Sequence, residues 1–252
     1  MLSDAKFPVI LSGAGVVIGD AINECKALAE KLDAPVCNGY QHNDSFPGSH
    51  PLAVGPLGYN GSKAAMQLIS KADVVLALGT RLNPFSTLPG YGIDYWPKNA
   101  NIIQVDMNPD RIGLTKKVTV GIAGDAKQVA KQIFDKLSSN AGDSGRDERK
   151  NLIHQTKSAW LQTLTSLDHE DDDPGTVWNK EARERDKDRM SPRQAWRAIQ
   201  AAMPEDAIIS SDIGNNCAIG NAYPTFEKPR KYLAPGLFGP CGYGFPSILG
   251  AK

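Results

Sequence analysis

The stretch "FPVILSGAGVVIGDAINECKALAEKLD", residues 7–33, joins a continuous apolar run to a glycine turn and then to apolar residues at helical spacing. A strand with no polar face can only be buried on both sides, and such strands belong to parallel sheets covered by helices. The unit recurs along the chain. "APVCN" reads as a second strand, "GSKAAMQLISKAD" as a helix, "VVLALG", "NIIQVD" and "VTVGIAG" as further strands, and "DAKQVAKQIFDKL" as a closing helix with Asp125 at its N-cap. Strands alternating with helices predict an α/β domain, a doubly wound parallel sheet, over residues 1–137.

Residues 138–150, "SSNAGDSGRDERK", gather serine, glycine and charge without an apolar face and are expected to form an exposed linker. An amphipathic helix, "NLIHQTKSAWLQTLTSL", and a mixed-charge arm carrying Trp178 complete the connection, 138–190. The alternation then resumes: Ser191 is the expected cap of a helix that starts at Pro192, "AIISSD" reads as a strand, and "IGNNCAIGNAY" opens another helix. Residues 191–252 therefore read as the N-terminal part of a second, truncated α/β domain. Its last run, Phe245–Ala251, is expected to start a helix that buries Ile248 and Leu249.

Charge and cysteine content narrow the function classes. Lys plus Arg and Asp plus Glu both number 28, so the net charge is zero and no overall basic field exists to gather nucleic acid or an anionic membrane. The first apolar run is too short for a signal core or a membrane span, and the chain reads as cytoplasmic. Cys25, Cys37, Cys217 and Cys241 lie far apart, with no CxxC pair and no histidine at ligand spacing, so no metal site is expected within the chain.

Two glycine-rich turns compete as binding sites. "SGAGVVIGD" follows a strand, where backbone N–H groups and a helix N-terminus can receive a pyrophosphate. Its spacing is GxGxxxG rather than GxGxxG, and the next strand ends Cys37-Asn38-Gly39 where an acidic ribose ligand would stand. Close packing of a βα turn accounts for the same glycines. "SDIGNNCAIGNAY" places Asp212-Ile213-Gly214 at a strand end and Asn215-Asn216 at the next helix start, the position that suits a diphosphate. "GLFGPCGYGFP" follows one strand later, aimed at the same edge of the sheet. His42 and His50 lie on a long loop, where satisfied hydrogen bonds account for them as well as function does.

"DIGNN" followed by "LFGPCGYGFPSILGA", after "PVILSGAG", "PLGYNGSKAA", "ADVVLALGTRL" and "IIQVDMNPDRIG", resembles the thiamine-diphosphate-dependent enzymes of the acetolactate synthase group over nearly the whole chain. The resemblance implies a central domain followed by the front of a diphosphate-binding domain. The pyrimidine-binding domain would then precede Met1 and the GDG…N metal motif would follow Lys252, so that the chain is a fragment of a homo-oligomeric enzyme. It further implies that Gly214, Asn215 and Asn216 meet the diphosphate of thiamine diphosphate, that Gly239 offers its carbonyl to the aminopyrimidine, and that Cys241, with Pro240 and Phe238, lies beneath the cofactor. Mg²⁺ would be held by residues outside the chain. A reactive thiol is the competing reading of Cys241, and nothing cationic flanks it in sequence.

"GTRLNPFSTL" keeps Arg81 but lacks the acidic pair and second arginine of flavin-binding members of the group, leaving Arg81, Tyr59 and Asn60 as candidate lining of a vestigial groove. "GNNCAIGNAYPTF" and "YLAPGLFGPCGYGFP" resemble the branch that converts sulfoacetaldehyde and inorganic phosphate to acetyl phosphate and sulfite. A decarboxylating carboligase, a stand-alone nucleotide-binding module over 1–137 and a non-catalytic interaction fragment remain as other readings at this point.

Overall fold

The computed structural model describes residues 1–166, 189–236 and 238–251; Trp178 and most of the charged arm lie outside the described residues. The first unit carries β1 (Pro8–Ser12), α1 (Ala14–Ile18), α2 (Ile22–Leu32), β2 (Val36–Asn38), β3 (Ala53–Pro56), α3 (Lys63–Ile69), β4 (Val74–Leu78), α4 (Pro84–Thr87), β5 (Asn101–Asp106), β6 (Val120–Ala123) and α5 (Ala126–Lys136). Its six strands are parallel in the order β3-β2-β1-β4-β5-β6, the doubly wound sheet expected from the alternating pattern. The chain runs outward from β1 through β2 and β3, then returns to lay β4 on the other side of β1. That reversal makes the carboxyl ends of β1 and β4 the topological switch point of the sheet.

Burial explains the element choices. Val9, Ile10 and Leu11 of β1 and Val75, Leu76, Ala77 and Leu78 of β4 are completely covered, as runs without a polar face require. The Asp73 carboxylate accepts the Lys6 and Phe7 N–H groups at 2.7 and 2.9 Å, fixing the entry to β1. Asp125 caps α5 by accepting the Gln128 N–H, as its position before the amphipathic run indicated. Strand β3 was not legible in sequence. It has only four residues, with Pro51 just before it and Gly55 and Pro56 inside it, so its local signals are those of a loop.

Most of 138–150 is exposed, as expected of a linker, but the structure corrects the expectation that nothing anchors it, and from Arg146 it is helical. Ala141 and Arg149 are buried, and the Arg149 guanidinium donates to the carbonyls of Lys6, Leu32, Asp33, Gly142 and Ser144. Arg146 and Lys150 flank it, both paired with Asp33. One arginine with five donors thus takes over the binding that an apolar face would give, and it fastens the start of α6 (Arg146–Ser166) to the end of α2.

Beyond residue 188 the structure has α7 (Pro192–Ala202), β7 (Ile209–Ser210), α8 (Asn215–Ala222), β8 (Tyr232–Leu233) and α9 (Gly244–Gly250). Ser191 and Gln194 form the capping box that sets the first turn of α7. β7 and β8 pair in parallel, with Tyr232 stacked on Phe226 below them. Helix α9 begins one residue earlier than the expected run, and Ile248 is half-buried. Leu249 is 62% exposed, against the expectation that it is buried, because the two short strands give α9 too narrow a surface to cover both sides.

Candidate functional site

Strand β7 ends at Ser210, and the chain turns into α8 through Ser211-Asp212-Ile213-Gly214. Gly214 has φ +87 and ψ −146, a conformation that only glycine adopts at low cost, and an added Cβ would meet nothing within 4 Å. Glycine is needed there for backbone shape, and the space beside it is open. Asn215 and Asn216 are exposed at the start of α8, where the unpaired N–H groups of the first turn point out of the helix.

Asp212 draws the second glycine-rich loop to this turn. Its carboxylate accepts the N–H groups of Ile213 at 2.8 Å, Gly242 at 3.1 Å and Gly244 at 2.9 Å. These bonds hold its carboxyl below the usual carboxylate range. Gly239, at φ +55, packs on Ile213, since a Cβ there would lie 2.7 Å from Ile213 Cδ1. "DIGNN" and "GPCGYG" are therefore one structural unit. Pro240, Cys241 and Phe238 are exposed on it, Phe238 at 90%.

The buried side of α8 is fixed by the first unit. Asn221 is fully buried: its Oδ1 accepts the Gln41 N–H at 2.8 Å, and its Nδ2 donates to the carbonyls of Leu57 and Tyr59 at 3.4 and 3.0 Å. The Cys217 thiol meets the Tyr40 hydroxyl at 3.1 Å and the Gln41 amide. Burial and the Cys217 contact raise the Tyr40 phenol pKa, so the hydroxyl remains protonated. Asp44 Oδ2 accepts the N–H groups of Lys231 and Tyr232, binding the same loop to β8. Burial raises its carboxyl pKa against the opposing pull of these bonds.

This loop, Tyr40–His50, is where sequence reasoning placed two histidines and little else. His50 meets Glu30 at 3.2 Å and receives the Leu52 N–H, a satisfied loop histidine. The His42 imidazole is pushed down to about 4, by burial first and then by Arg81, so it is neutral near pH 7. Arg81 has Arg111 as a like-charged neighbour, Tyr59 is exposed and Asn60 sits at φ +54 in a turn. Sequence reasoning placed Asp212 in the turn without giving it a role, and missed Asn221. The signals were there: a carboxylate between a strand and a glycine turn, and a polar residue on the covered face of a short helix.

The other glycine turn behaves differently. A Cβ on Gly15 would stand 2.6 Å from Gly79 Cα, and one on Gly13 would stand 2.5 Å from Thr80 Cβ. These glycines let the β1–α1 turn press against the end of β4, which is the packing explanation of their presence.

A family model described as "Thiamine pyrophosphate enzyme, central domain" matches residues 1–133, which span all six strands of the large sheet. The chain belongs to the thiamine pyrophosphate enzyme family. Over its whole length this family member is 80% identical to a protein of Rhizobium meliloti (strain 1021) named probable sulfoacetaldehyde acetyltransferase and covers 43% of that protein. It is 75% identical to one of Roseovarius nubinhibens named sulfoacetaldehyde acetyltransferase, covering 42%. It is 30% identical to a probable acetolactate synthase large subunit of Methanococcus aeolicus, covering 41%. The chain thus spans less than half the length of the curated relatives it matches.

The arrangement suits the family's cofactor. An open glycine cradle, two exposed amides at a helix N-terminus and a second loop held alongside by Asp212 offer neutral hydrogen-bond donors to an anionic diphosphate. Among the described residues no group of three His, Cys, Asp or Glu side chains could hold a metal ion.

Proposed function

We propose that the chain is the central portion and the front of the cofactor-binding portion of a thiamine-diphosphate-dependent sulfoacetaldehyde acetyltransferase, which converts sulfoacetaldehyde and phosphate to acetyl phosphate and sulfite. The observation that carries this reading is the identity gap. Full-chain identity is 49–80% to five relatives named for that activity and 30–31% to those named acetolactate synthase. On this reading residues 1–137 and 191–252 are two α/β units joined through 138–190, the protein is cytoplasmic, and the whole enzyme is a homo-oligomer that also uses Mg²⁺.

When bound, thiamine diphosphate supplies the stabilised carbanion that the chemistry requires. Gly214, Asn215 and Asn216 would hold its diphosphate, the Gly239 carbonyl would accept a hydrogen bond from its aminopyrimidine, and Pro240 and Cys241 would support it. The chain's contribution is position. Asp212 keeps the diphosphate-facing turn and the ring-facing loop at a fixed separation, because one carboxylate is bonded to both. Asn221 and Cys217 anchor the helix behind them, so that the cradle does not shift as substrate enters.

The full-length enzyme tests the reading. It is expected to consume sulfoacetaldehyde only with thiamine diphosphate, Mg²⁺ and phosphate all present, and to release sulfite and acetyl phosphate in equal amounts. Turnover that ignores phosphate, or that yields carbon dioxide from a 2-oxoacid instead, would replace the acetyltransferase by a carboligase.

A further inference from the structure

A cavity of about 940 Å³ runs along the outer edge of the large sheet, between β3, the second half of α6 and the turn at Tyr223–Thr225. None of the residues assigned above to the cofactor lines it. Its size falls in the range, about 300–1,000 Å³, in which proteins hold small molecules. Leu52 and Val54 line it from the sheet edge, and Ile153, Trp160 and Leu164 line it from α6.

A lysine interrupts that apolar wall. Ile153, Lys157, Trp160 and Leu164 follow one another at spacings of four, three and four, which places them on one face of α6. Lys157 thus stands where the pattern calls for an apolar residue, and it too lines the cavity. It is half-buried, and its ammonium donates to the carbonyls of His50 and Pro51 at 3.2 and 2.7 Å. Both acceptors are neutral.

The carboxylates on the wall are taken by other groups. Glu30 meets His50 at 3.2 Å and Lys26 at 3.9 Å, while Asp33 meets Arg146 at 2.7 Å and Lys150 at 3.4 Å. Among the described residues no carboxylate pairs with Lys157, and burial pulls its ammonium pKa down with no acid to oppose it. An ammonium has three donors, and the two carbonyls use two of them. A molecule that fills the cavity displaces the water open to the third, so it must return an acceptor or leave the charge dehydrated. A carboxylate returns both the acceptor and the missing opposite charge.

We infer that this cavity binds an apolar carboxylate, an ionised hydrophobic acid whose charged end pairs with the Lys157 ammonium while its body lies against Ile153, Trp160 and Leu164. The site is separate from the cofactor loops and does not depend on the activity proposed for them. Naphthalene-2-carboxylate and 2-naphthamide serve as probes: they have nearly the same shape, and only the first is charged. In ligand-observed NMR titrations of the full-length protein at neutral pH, the carboxylate is expected to bind tighter than the amide by about tenfold or more. Lys157→Met keeps an unbranched stem and removes the charge. It should abolish that preference while still binding the amide, which shows the cavity intact. In the unaltered protein the carboxylate should also slow reductive methylation of Lys157, followed by peptide mass spectrometry, and the amide at equal occupancy should slow it less. This second measurement decides if the variant does not fold. Absent binding of the carboxylate, equal binding of the amide, a preference that survives in folded Lys157→Met, or methylation of Lys157 that the carboxylate leaves unchanged would overturn the site.

Discussion

Two turns of this chain follow apolar strands and are written in glycine, yet their glycines do opposite things. At Gly15 a side chain would collide with the backbone of Gly79 at 2.6 Å, whereas at Gly214 it would meet nothing within 4 Å. The first glycine is required by crowding; the second is required by its φ of +87 and leaves its surroundings open. A glycine turn at a parallel strand end is therefore ambiguous in sequence, and the space around the missing side chain separates packing from binding.

Substitution should expose the difference, and the largest effect falls at the crowded turn. Gly15→Val is expected to cost about 3 kcal/mol or more in urea unfolding, because the collision is with backbone that cannot swing aside. A smaller loss than that of Gly214→Ala would break the comparison. Gly214→Ala strains one backbone position and should cost about 1–2 kcal/mol. Its characteristic result lies elsewhere: the full-length enzyme should need at least tenfold more thiamine diphosphate for half-maximal activity.

Acid sharpens the contrast. His42 lies beside the first turn, close to Gly39, and is pushed down to about 4. The unfolded chain takes up this proton near the ordinary histidine value of about 6.5 while the folded chain refuses it until about 4. Its contribution is complete well above pH 6.5 and declines as pH falls, by about 2 kcal/mol at pH 5 and about 3 kcal/mol at pH 4. His42→Gln should flatten that decline in urea titrations at pH 7 and pH 5. Asp212 is depressed instead, so what it contributes is complete above the ordinary carboxylate value and is lost only as pH drops through its own lower one. Asp212→Asn should leave the pH 7 to 5 stability slope as it is and raise the half-saturating thiamine diphosphate concentration severalfold. A changed slope would mean that Asp212 supports the fold rather than the loop.

The large sheet was legible because β1 and β4 are nearly continuous apolar runs, and burial on both faces leaves no other reading. Strand β3 was hidden because it is short and carries glycine and proline, and its place depends on β2 beside it rather than on its own propensity. The segment before α6 misled for a different reason. Its anchorage is one arginine bonded to five carbonyls, and hydropathy does not register a polar anchor. At the site, Gly214, Asn215, Asn216, Gly239 and Cys241 were picked out as residue types. What joins them, the Asp212 carboxylate, depends on a bond spanning thirty-two residues, and sequence pattern carries no such distance.

Hydrogen exchange on the full-length enzyme, with and without thiamine diphosphate and Mg²⁺, tests the separation of the two turns most directly. The account predicts slowed exchange at the amides of 213–217 and 239–244 when the cofactor binds, and unchanged exchange over 12–19, whose glycines are already packed against Gly79. Slowed exchange at 12–19, with 213–217 and 239–244 unaffected, would place the ligand at the first turn and contradict the account.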